Sequence, residues 1–351
     1  METKVIKIER ENIRKEDLRE AGEILRNGGL VAFPTETVYG LGGNGLDPEA
    51  SKKIYAAKGR PSDNPLIVHI AETKDIEKLA VDIPDLAWKL AERFWPGPMT
   101  MILKKGPAVP KATTGGLDTV AIRLPSHEIA RELIRESGCF IAAPSANSSG
   151  RPSPTKAEHV IEDLSGKIDM IIDGGSCDIG LESSIIDLSG DKPLILRPGF
   201  ITREDFEAVA KDVEYDMAVI AKTPEKNVVA KAPGMKYRHY APKGSITIVE
   251  GTRENVIEYI NRETARCESE GTAAAVICAD ESRNGYTCKT IYDLGSRKHD
   301  EDIASALFDV LRRADHDGIS VIYAESFDEV RLSQAIMNRL RKAAGYNTVK
   351  V

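Results

Sequence analysis

The amino-acid sequence predicts an α/β protein made of two units, a larger N-terminal one and a small, doubly wound C-terminal one. Three observations lead there. Up to about residue 205, short apolar runs ended by Pro or Gly alternate with helical patterns. Several of those runs are continuously apolar, which suggests a sheet covered on both faces. From residue 244 onward strands again alternate with helices, as a parallel sheet requires. A chain of 351 residues is long enough to bury two cores.

Taken in order, the strands of the first unit are expected at 29–36, 98–103, 119–125, 139–145, 169–175, 183–188 and 193–199, with a further short one at "IVHI" around His69. Helices are expected at 13–27, 48–57, 84–94, 126–137 and 155–164, with Ser126 and Thr155 as N-caps. Residues 1–205 thus form one domain, 206–243 a linker containing the aromatic and basic stretch 232–242, and 244–351 the second domain. In the last, "SITIVE", "TAAAVICA" and "SVIYAE" read as strands, and 253–269, 300–315 and 328–343 as helices.

Composition narrows the function. With 41% hydrophobic and 29% charged residues the chain is an ordinary globular protein. A net charge of −7 argues against nucleic acid as the main partner, so any positive site must be a local groove. No apolar run is long enough to span a bilayer and the N-terminus carries no signal-peptide core, so no membrane partner and a cytoplasmic location are expected. The five cysteines form no CxxC pair and the six histidines are scattered, so neither a disulfide framework nor a protein-built metal site is expected. There is no P-loop. "GLGGNG" at 40–45 satisfies the dinucleotide fingerprint but does not open into a helix, and reads instead as a flexible Gly-rich turn.

The polar residues nevertheless suggest an anion site. In "KGRPSDNPL" (58–66), Lys58 and Arg60 stand on what reads as a stiff, extended loop, because Pro61 and Pro65 bias Arg60 and Asn64 away from helix. Arg123 and Arg197 each lie in an apolar strand near a proline, where a lone arginine is costly to bury. "APSANSSGRPSPT" (143–155) and "LESSIID" (181–187) add hydroxyl and amide groups after strands. No GxSxG elbow and no cysteine beside a base supplies a covalent nucleophile.

Taken together, "PTETVYGLG", "KGRPSDNPL", "FWPGPMT", "VAIRLP", "APSANSSGRPSPT", "LESSIID", "LRPG" and "PGMKYRHYAP" occur in an order that resembles the YrdC family of L-threonylcarbamoyladenylate synthases in its long two-domain form. The resemblance implies a twisted mixed sheet with flanking helices and a basic concave groove, followed by a Rossmann-like C-terminal domain. It implies a nucleotidyltransferase that makes threonylcarbamoyl-AMP and pyrophosphate from L-threonine, bicarbonate and ATP with Mg2+. The product would serve t6A37 modification of tRNAs reading ANN codons, through the tRNA threonylcarbamoyl transferase complex.

Carried over by motif, the family's K-x-R and S-x-N signature is Lys58, Arg60, Ser145 and Asn147, the expected catalytic set. ATP would be held by these four with Asn64, Thr119, Ser153, Arg197, Tyr237 and Tyr240. Threonine would be held by Thr37, His69, Arg123, the backbone at Ala143, and Ser183. Tyr237, His239 and Tyr240 would close over the site as a lid. The alternative function class is an RNA-binding protein that uses the groove without catalysis.

Overall fold

The computed structural model describes residues 2–220, 231–233, 239–328 and 330–351. The chain divides into two compact units, one containing residues 1–149, 153–221 and 225–236, the other residues 150–152, 222–224 and 237–351.

The first unit is organised around a mixed sheet. Its strands in chain order are β1 (Lys4–Lys7), β2 (Val31–Phe33), β3 (Gly40–Asn44), β4 (Ile67–His69), β5 (Met99–Lys104), β6 (Thr119–Arg123), β7 (Ile141–Ala142), β8 (Met170–Asp173), β9 (Ser184–Asp187), β10 (Leu194–Arg197) and β11 (Glu214–Tyr215). They lie side by side in the order β1-β8-β2-β3-β7-β4-β6-β5-β9-β10-β11. The expected apolar runs are all present as strands, generally shorter than their apolar limits. Residues 206–220, expected as linker, extend this unit instead. Phe206 is fully buried and stacks edge-on against Phe94, and β11 pairs parallel with β10.

The inner strands, such as β2, β4 and β5, are buried on both faces, as their unbroken apolar character predicted, while the edge strands β1 and β11 are largely exposed. Alternation along each strand then sorts the side chains. Val68, Ile122 and Met101 face a core completed by Leu90, Trp95 and Phe206. Ile67, Ala121, Ile102 and Ile185 face the other way, into a small apolar cluster that also holds Leu196 and Ala232.

"GLGGNG" is not a turn. Its first five residues are β3, antiparallel to β2, and the fully buried strand has no room for side chains. A Cβ at Gly42 would stand 2.7 Å from Ile141 Cγ2 and 2.8 Å from Phe33 Cε1. The glycines let neighbouring side chains close over the backbone, which is why no dinucleotide loop forms here.

Two expected caps are displaced. Helix Glu128–Ser137 has His127 at its N-cap position, and helix Ala157–Leu164 has Lys156, so Ser126 and Thr155 lie one residue too early. Neither N-cap side chain makes a capping bond; His127 is buried, and at the second helix the Thr155 N–H instead donates to His159 Nδ1, one turn along, at 3.2 Å.

The second unit is the expected doubly wound domain. Strands β12 (Ser245–Glu250), β13 (Ala274–Cys278), β14 (Thr290–Asp293), β15 (Val321–Glu325) and β16 (Thr348–Lys350) are all parallel, in the order β14-β13-β15-β12-β16. β14 and β16 are short and were not legible as strands in the sequence. The last helix begins at Ser333, later than expected. Among the described residues no helix is long and apolar enough to cross a membrane.

Candidate active site

Lys58 stands where a helix ends, not on a loop. Helix Pro48–Lys58 starts with the Asp47 carboxylate accepting from the Glu49 N–H at 2.9 Å and with proline at its first position. It stops because Gly59 adopts φ 61°, and the Arg60 N–H closes the turn on the Tyr55 carbonyl at 2.9 Å. That closure sends both cations inward, to 4% and 9% exposure. The expectation of a stiff, extended basic loop outside the core is therefore corrected: the αL glycine turns the chain so that both cations are buried.

The two signature motifs meet there. Lys58 Nζ donates to the carbonyls of Ser145 and Asn147 at 2.5 Å each, and the Ser145 hydroxyl donates to Asn147 Oδ1. Arg60 folds over its own segment, donating from Nε to the Asn64 carbonyl at 3.3 Å and from Nη2 to the Pro65 carbonyl at 3.1 Å. Asn64 is buried, and its Oδ1 has no hydrogen-bond partner.

Strand register builds the second half of the site. β6 places Arg123 between His69 of β4 and Thr100 of β5, so the three side chains stand on one face of the sheet. Thr100 Oγ1 meets Ser183 Oγ at 2.7 Å, and Arg197 donates from Nε to the Ser183 carbonyl and from Nη2 to its hydroxyl, both at 3.0 Å. Thr119 lies four residues earlier on the Arg123 strand and so shares that face. Thr37 shares a 2.9 Å hydroxyl contact with Thr35, and the Ala143 N–H is spent on the Ile67 carbonyl at 2.8 Å, which leaves its own carbonyl as the group able to meet a ligand. The Ser153 hydroxyl donates to Glu182 at 2.6 Å.

Arg123 meets a carboxylate of this chain, Glu36, with Nη2 2.8 Å from Oε1 and both side chains almost wholly buried. His69 is buried edge-on against Phe33, and burial, reinforced by the Arg123 charge, lowers its pKa to about 3, so the ring is neutral at pH 7. Of the residues expected from the linker, Tyr237 lies outside the described residues. The Tyr240 ring is buried in the second unit, 5.0 Å from the Phe308 ring, and His239 lies beside it with ring centroids 5.5 Å apart. Glu36 and Thr100 were missed by sequence reading. Glu36 looked like one more polar residue in "PTET", and Thr100 sits inside an apolar strand.

The arrangement has four buried cations, Lys58, Arg60, Arg123 and Arg197, and a row of neutral hydroxyl and imidazole groups beside an apolar floor. That defines a buried small-molecule site for an anionic ligand on an α/β sheet, with no side-chain nucleophile needed. Residues 23–199 match the Sua5_yciO_yrdC family, described as "Telomere recombination", and residues 201–345 match "Threonylcarbamoyl-AMP synthase, C-terminal domain". The threonylcarbamoyl-AMP synthase of Pyrococcus abyssi is 51% identical over 342 residues, covering 97% of this chain and 98% of that protein. The Bacillus subtilis enzyme of that name is 46% identical, over 95% and 94% of the two chains. A crystal structure of P. abyssi Sua5 complexed with L-threonine superposes with a TM-score of 0.94 at 50% identity, covering 99% of this chain and 100% of that one. The chain belongs to the threonylcarbamoyl-AMP synthase family, in its two-domain form.

Proposed function

We infer that this protein is an L-threonylcarbamoyladenylate synthase, a nucleotidyltransferase that converts L-threonine, bicarbonate and ATP into threonylcarbamoyl-AMP and pyrophosphate for t6A37 of tRNAs reading ANN codons. The observation that carries the reading is the convergence of Lys58 on Ser145 and Asn147 beside the His69–Arg123–Thr100 row, in a chain matched along its length by synthases of that name.

The chemistry suits these residue types. Threonine nitrogen bonds to the bicarbonate carbon, and water and a proton are released to leave a carbamate. A carbamate oxygen then attacks the α-phosphorus as the bond to the bridging oxygen breaks, and pyrophosphate departs. Nucleophile and target are both anionic, so the protein's work is alignment and charge neutralisation. Lys58, Arg60 and Arg197 supply the positive charge, with Asn64, Thr119, Ser145, Asn147 and Ser153 as polar contacts to ATP. Thr37, neutral His69, Arg123, the Ala143 carbonyl and Ser183 form the threonine side.

Mg2+ would arrive with ATP. Such a hard cation would keep waters and phosphate oxygens as its main ligands, because the Ser145 and Asn147 carbonyls are taken by the Lys58 ammonium. The product passes to the tRNA threonylcarbamoyl transferase complex.

The test is incorporation of labelled bicarbonate into an adenylate in the presence of threonine and ATP. Incorporation that needs both is the expected result. No labelled product from well-folded protein would overturn the reading.

A further inference from the structure

Glu36 lies in the segment after β2, which is pinned by the Ile179 N–H donating to the Glu36 carbonyl at 2.9 Å. Its side chain cannot swing to solvent, being 6% exposed. Arg123 lies 2.8 Å away, yet among the described residues neither carboxylate oxygen accepts a hydrogen bond, and Nε and Nη2 of Arg123 donate none. The charges touch without the aligned N–H···O bonds that usually compensate burial. His127, also buried, has no hydrogen-bond partner for either ring nitrogen among the described residues. Burial, assisted by Arg10, lowers its pKa to about 4, so at neutral pH it brings no cation to Glu36.

Such a pair is unfinished. Buried polar groups in native proteins are nearly always bonded, and exceptions tend to mark places where a ligand completes the network. A simple anion would satisfy Arg123 and repel Glu36. A simple cation would do the reverse. A zwitterion presents both charges a few bonds apart, as every free α-amino acid does.

We propose that Glu36 is a further substrate-binding residue, taking the α-ammonium of the amino acid while Arg123 takes its carboxylate. The inference rests on the reading of this half of the site as the threonine pocket. It adds a reason for accepting a free amino acid and rejecting a hydroxy acid of the same shape. The neutral groups around it, Thr37, His69 and Ser183, are left to read the side chain.

Calorimetry with L-threonine, with 2,3-dihydroxybutanoate (hydroxyl in place of ammonium) and with ATP tests this on the full chain and its Glu36→Gln variant. Glu36→Gln keeps the shape and removes the charge. Threonine affinity is expected to fall about ten- to hundred-fold, the scale of a lost charge-assisted hydrogen bond. Affinity for dihydroxybutanoate, and for ATP, should be unchanged. Threonine binding by Glu36→Gln within about two-fold of the parent overturns the inference, as does an equal loss for both acids, which would make Glu36 only a prop for Arg123. If Glu36→Gln does not fold, Glu36→Asp, which retracts the charge, must still weaken threonine selectively, or the inference fails. If the parent binds ATP but not threonine, the pocket reading itself falls.

Discussion

Replacing Lys58 by alanine should cost stability as well as activity. The ammonium holds together two segments far apart in sequence, through the carbonyls of Ser145 and Asn147, at a position only 4% exposed. Truncation leaves a buried acceptor at Asn147 and a part-buried one at Ser145 without that donor, each worth about 1–3 kcal/mol if nothing replaces it. Water entering the vacated side-chain space recovers part, so a net loss of about 2–4 kcal/mol is expected, a large share of a typical ~5–15 kcal/mol. At about 2–4 °C per kcal/mol for a domain near 200 residues, the first unit should melt roughly 4–16 °C lower. Lys58→Arg keeps the charge, but its planar fork does not converge on two carbonyls as an ammonium does, so it should recover only part of the loss. Differential scanning calorimetry reads the stability, and threonine-dependent pyrophosphate release reads the activity. An unshifted melt for Lys58→Ala, with near-normal turnover, would refute the argument that this lysine ties the two motifs together.

Acid should destabilise the fold in a defined window. His69 and His127 have pKa values lowered to about 3 and about 4 in the folded state, so below the ordinary value near 6.5 the unfolded chain takes up their protons first. Stability should therefore fall as pH drops from 6.5 toward 4, by about 1.4 kcal/mol per pH unit for each histidine. A His127→Gln variant should show a shallower decline in melting temperature over that range, and an identical slope would count against the burial argument. Gly42→Val should lower the urea midpoint by the equivalent of about 1–3 kcal/mol, because its Cβ would meet Ile141 and Phe33 inside 3 Å. A tolerated valine would mean that β3 is not packed as described. Among substrates, serine should lose about 1 kcal/mol of binding for the missing methyl, and valine more, because it leaves a hydroxyl partner unsatisfied. Equal adenylate formation from valine and threonine would contradict a pocket lined by Thr37 and His69.

The reach of the sequence is clear from particular residues. Apolar runs such as "TMIL" and "MIID" commit the backbone to strands because β-rich, unbroken hydrophobic segments have few other ways to leave water. The C-terminal alternation likewise led to a parallel sheet, and the order of the polar motifs identified the family before any geometry was available. Each of these signals is local, held within a few residues of chain. What was not local was misread or missed. "GLGGNG" becomes a strand only because Phe33 and Ile141 close over it, from 9 and 99 residues away along the chain at Gly42. Lys58 looks like a loop cation until Gly59 turns it toward carbonyls that lie 87 and 89 residues further on. Thr100 and Glu36 gain their meaning from the β4–β6–β5 register and from burial against Arg123. Propensity, capping and motif order are written in neighbouring residues, whereas the charge state, partners and unsatisfied bonds of a site depend on which distant backbone is packed beside it. Only the folded chain decides that.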